Sequence, residues 1–186
     1  MPPVPAWQEP HSAMPKHRPR RPLTKRRLGN IARFYLERHS ASVARFRMIL
    51  NRRARREIGP DGDLAAIPGW IDEIVADFIR LGLLNDTVFA AAVAARGRVN
   101  AKAPRRLRAS IRGKGVSAAI AAAAVPDDSE AEWSAAVALA RRRRLGPYRE
   151  SDRDAVSDRR DLGILGRAGI GFAIAKRLIS RRTPPE

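Results

Sequence analysis

The sequence predicts an all-α protein: three tandem three-helix repeats forming an elongated, curved array behind a disordered N-terminal tail. Three observations carry this. Apolar residues recur at the helical period from Leu23 to Ser180 without strand-like alternation. Seven of the 14 prolines fall within residues 1–22. A short glycine-to-isoleucine pattern returns three times along the chain.

Residues 1–22 end in Lys16, Arg18, Arg20 and Arg21 and hold too little apolar surface to fold, which predicts disorder. Leu28, Ile31, Ala32, Tyr35 and Leu36 then form the stripe of a first helix. Ser40 or Ser42 caps a second helix, which turns Val43, Phe46, Ile49 and Leu50 inward and Arg45, Arg47, Arg52, Arg53, Arg55 and Arg56 mostly outward. Gly59, Pro60, Asp61 and Gly62 break the pattern, and Ile71, Ile74, Val75, Phe78 and Ile79 restart it as a third stripe. Asn85 or Asp86 caps a fourth helix through Phe89 and Val93. Pro104 opens a fifth, before Leu107 and Ile111, and Ser117 precedes a sixth with Ile120. Ser129 with Glu132 reads as the capping box of a seventh, whose stripe is Trp133, Ala136, Val137 and Ala140. It ends in Arg141–Arg144 and is stopped by Gly146 and Pro147. Two more helices are expected over Asp152–Arg167 and Gly171–Ser180.

Gly69-Trp70 with Ile74, Gly115-Val116 with Ile120 and Gly169-Ile170 with Ile174 share one pattern, spaced by 46 and 54 residues. Each copy is expected to open the last of three helices: the glycine takes the positive φ that ends the preceding helix, and isoleucine packs one turn in. The expected organisation is a tail over 1–22, a first repeat over 23–84 with an inserted loop near 57–68, a second over 85–126 and a third over 127–181. Stacked repeats present long surfaces that suit macromolecular partners.

Lysine and arginine total 37 against 19 acidic residues, a formal charge of +18, so an anionic partner is expected. Absence of cysteine excludes disulfides and thiolate chemistry and fits a reducing compartment, the cytoplasm. No stretch reaches the roughly 18 apolar residues of a membrane span, and the proline-rich start lacks a signal peptide's apolar run, so no membrane association is expected.

Three arginine clusters stand out: Arg52–Arg56, Arg105–Arg112 and Arg141–Arg144. A charge run is often a solvated helix face, but few acids compensate these. Arg52, Arg53, Arg55, Arg56, Arg105, Arg106, Arg108 and Arg112 are therefore candidate contacts to phosphate or to an acidic protein surface. For Arg141–Arg144, stabilisation of a helix end is the equal alternative. Trp70 and Trp133 lie on apolar stripes and read as core rather than base-stacking platforms. Gly113-Lys114-Gly115 and Gly163–Gly171 lack Walker spacing and read as helix termini. The three histidines have no partner at metal-ligand spacing. Asp127, Asp128, Glu130 and Glu132 sit at a helix start, where negative charge is stabilising; a nuclease carboxylate cluster is the weaker reading.

The basic leading helix pair, Ile74 to Asp86 as IVADFIRLGLLND, Phe89 through Arg98, Pro104-Arg105-Arg106-Leu107 and the Gly115-Val116 step together resemble the RecX family of recombination regulators, over about residues 23–181. The resemblance implies tandem three-helix repeats that bind the RecA recombinase filament on DNA along its groove and lower its ATP hydrolysis and strand exchange. It offers no catalytic motif to carry over. A monomeric protein that is not an enzyme, with no cofactor, metal or small-molecule substrate, is expected. A basic helical module acting on DNA directly is the alternative. The insert at Glu57–Pro68 and the proline-rich tail depart from the family pattern.

Overall fold

The computed structural model describes residues 22–59, 64–150, 152 and 154–185. The expected tail, apart from Pro22, and the centre of the 57–68 insert lie outside the described residues. Among the described residues there are nine α-helices, one 3-10 turn and no strand. No described helix is long and apolar enough to cross a membrane.

Helices α1 (Lys25–Leu36), α2 (Val43–Ile58) and α3 (Ile67–Arg80) enclose a core that includes Leu28, Phe46, Leu50, Val75 and Phe78. Ser42, of the two serines weighed, caps α2: its hydroxyl accepts the Arg45 N–H at 3.2 Å. Helices α4 (Asp86–Val99), α5 (Pro104–Arg112) and α6 (Ala118–Ala124) surround a second, smaller core of Ala90, Ala94 and Ala121 with Leu107, Ile111, Val116 and Val125. Asn85 caps α4, accepting the Thr87 and Val88 N–H groups, and Pro104 stands at the start of α5, where its missing N–H costs nothing. Helices α7 (Ser129–Arg143), α8 (Ala155–Arg167) and α9 (Phe172–Ile179) form a third core around Ala136, Ala140, Leu165 and Leu178. A 3-10 turn over Gly146–Tyr148 follows α7. Trp70 and Trp133 are partly buried against the first and third cores, as their stripes predict.

Four local expectations are corrected. Asp128, not Ser129, is the N-cap of α7: its extended backbone lets the carboxylate accept the Glu130 and Ala131 N–H groups, and Glu132 reaches instead to the Gly171 N–H. The capping box belongs to α8, where Asp154 and Ser157 bond reciprocally. Ile79 faces solvent, because at 100° per residue it trails Phe78 off the buried stripe. Gly69 lies inside α3 with an ordinary helical backbone, so it ends no helix.

Gly115 and Gly169 do take positive φ, +84° and +90°, and each also carries a contact between units. A Cβ on Gly115 would overlap that of Ala44 in the first turn of α2, and one on Gly169 would stand 3.1 Å from the Arg106 N and Cβ in the first turn of α5. Each later unit thus sets the turn before its last helix against the middle helix of the unit before it. Gly69 has no neighbour of this kind, and a Cβ there would meet nothing within 4 Å. The first junction is reinforced by the buried Ser42 hydroxyl donating to the Lys114 carbonyl and by the Val43 N–H donating to Asp86 Oδ1 at 2.9 Å. At the second, Arg106 Nη1 donates to the Arg167 carbonyl at 3.4 Å.

Candidate functional site

Of the two candidate arginine clusters, Arg52, Arg53 and Arg56 line one opening and Arg106 alone lines another. Arg52, Arg53, Arg55 and Arg56 are exposed on α2. There Arg53 pairs with Glu57 at 3.4 Å and Arg55 Nε donates to Asn51 Oδ1 at 3.0 Å. On α5 the buried stripe of Leu107 and Ile111 turns Arg105, Arg106 and Arg112 to solvent. Arg108 differs: half-buried, it donates to the Val125 carbonyl at 3.2 Å, at the end of α6, and pairs with Asp127 at 2.7 Å. Its guanidinium therefore holds α5 to α6.

Docking of the second unit on the third creates an open groove of about 1020 Å³ between α5, α7 and α8. Its walls carry five cations, Lys102, Arg106, Arg142, Arg143 and Arg167, and no acidic residue among the described ones. Its floor is small and apolar, with Ala103, Ala135, Ala138, Leu139 and Ile170. Pro104 and the buried stripe of α5 aim Arg106 into the groove, and the last turn of α7 aims Arg142 and Arg143. The flanking arginines of that turn are spent locally: Arg141 lies 5.9 Å from the Tyr148 ring centroid, and Arg144, the left-handed C-cap, pairs with Glu150 at 3.0 Å. Lys102 and Arg167 carried no sequence signal. They join the others only because the Gly169 turn docks on α5.

No three His, Asp or Glu side chains converge as metal ligands among the described residues. The acidic cluster is dispersed: Asp127 pairs with Arg108, Asp128 caps α7 and Glu132 accepts the Gly171 N–H. Five cations around a partly apolar floor suit an extended anion, a phosphate backbone or a carboxylate-rich surface.

No family model matches the sequence. The chain is 37% identical over 159 residues to the regulatory protein RecX of Myxococcus xanthus (strain DK1622), covering 82% of this chain and 83% of that one. The chain belongs to the RecX family. A second RecX-family relative, the regulatory protein RecX of Agrobacterium fabrum (strain C58 / ATCC 33970), is 27% identical over 157 residues, 83% of this chain and 82% of that one. The RecX fold is shared as well: the crystal structure of RecX from Lactobacillus salivarius superimposes with a TM-score of 0.65 at 20% identity, covering 85% of this chain and 96% of that one.

Proposed function

We propose that this RecX-family chain is a monomeric, cytoplasmic regulator that binds the RecA recombinase filament on DNA and lowers its ATP hydrolysis and strand exchange, acting by contact and not by catalysis. The observation that carries this reading is the convergence of Lys102, Arg106, Arg142, Arg143 and Arg167 on one acid-free groove in a protein of this family. Arg105 and Arg112, exposed on the same helix as Arg106, extend the contact surface. A polyanion in the groove replaces mutual arginine repulsion with charge-assisted hydrogen bonds, and the alanine floor lets it approach closely. Purified protein should slow ATP hydrolysis by RecA on single-stranded DNA at near-stoichiometric ratio. Unchanged hydrolysis at several-fold excess refutes the reading.

The lack of any acidic side chain among the groove's described lining residues also favours a second reading, direct binding to DNA. Affinity for bare DNA above that for the filament would select it.

A further inference from the structure

A second opening lies on the first unit, between the C-terminal half of α1 and the middle of α2, with a volume of about 310 Å³. Ile31, Ile49 and Leu50 lie at its base, and Phe34, 58% exposed, stands at its mouth. Tyr35, His39, Arg38, Arg52, Arg53 and Arg56 also line it, and no acidic side chain does among the described residues. We propose that this slot is a docking site for a protein partner: a short acidic segment that inserts one bulky apolar side chain and lays its carboxylates on the arginines.

Size and chemistry both select that occupant. The volume is at the lower end for ligand pockets, about 300–1,000 Å³, so it takes one or two large side chains rather than a whole helix. The base, formed by Ile31, Ile49 and Leu50, is aliphatic and offers nothing to hydrogen-bond, so the group that reaches it is apolar. An apolar anchor ringed by charge is the common form of a binding hot spot, because the ring excludes water from the centre. A nucleic acid is the poorer fit. Arg38 already covers one face of the Phe34 ring, its guanidinium carbon 3.6 Å from the centroid, and the Tyr35 and His39 rings that also line the slot pack on each other, centroids 4.9 Å apart. The site is separate from the groove on α5, α7 and α8 and does not depend on the function proposed for it.

The test uses the full chain, labelled with nitrogen-15, and a synthetic acidic heptapeptide with phenylalanine at its centre and aspartate elsewhere. Binding should move the amide signals of Phe34, Ile49 and Arg52, and replacing the central phenylalanine by glycine should weaken it at least tenfold. Arg52→Glu with Arg56→Glu should weaken it as much, while Arg106→Glu with Arg143→Glu should leave it unchanged. Ile49→Trp, which fills the slot and keeps the arginines, should abolish binding without moving the thermal transition. The proposal is overturned if the glycine-centred peptide binds equally, if the shifts fall only on α5, α7 and α8, if Ile49→Trp still binds, or if a deoxythymidine oligonucleotide displaces the peptide from these amides.

Discussion

Asp161 has no exposed surface, yet it carries a charge into the third core. Its carboxylate accepts the Gly146 N–H at 2.8 Å and an Arg149 Nη2 hydrogen bond at 2.7 Å, tying the turn after α7 to α8. That hydrogen bond, helped by the nearby carboxylates, raises the Arg149 pKa above its ordinary value. Asp161→Ala would strand a buried N–H and an arginine, so it should cost about 2–3 kcal/mol in urea unfolding. Exposed Asp154 acts through pH instead. The Ser157 backbone N–H, and then its hydroxyl, hold the Asp154 carboxyl below the usual carboxylate range. Its folded pKa is therefore depressed: the contribution to stability is present above the ordinary carboxylate pKa and is lost as pH falls through the folded value. Asp154→Asn should flatten the acid limb of stability measured between about pH 2 and pH 5.

At the scale of elements, the repeated glycine has two meanings, and substitution separates them. Gly115→Ala and Gly169→Ala should each cost about 2 kcal/mol or more, from the left-handed backbone and the crowding of Ala44 or Arg106. Gly69→Ala should instead raise stability by about 0.5 kcal/mol, because alanine favours the helix and meets nothing. Thermal melts of the three variants check both signs. Helix positions were legible in the sequence because each apolar stripe is a local signal: Ser42, Asn85 and Pro104 stand where their side chains or ring favour a start. The α7 cap was misread by one residue because Asp128 and Ser129 are both good caps and only backbone geometry chooses between them. Arg106 was legible as an outward arginine on a proline-started helix. Its company in the groove was not, since Lys102, Arg142, Arg143 and Arg167 converge through tertiary docking that no local pattern encodes.

For the whole molecule, charge decides how binding responds to salt. If all five groove cations meet phosphates of a single strand, the log-log salt slope should be about −3.5, and Arg142→Gln with Arg143→Gln should reduce it to about −2. Titration of the protein onto single-stranded DNA or filament at several salt concentrations reads both slopes, and an unchanged slope would place the phosphates elsewhere. The middle unit meets both of its neighbours through a glycine contact, the first unit at Gly115 and the third at Gly169. Mechanically, it is the coupling between the two ends. A ligand bridging α5 to α7 and α8 clamps the second of these joints, and should be felt as raised amide protection at the Gly169 turn.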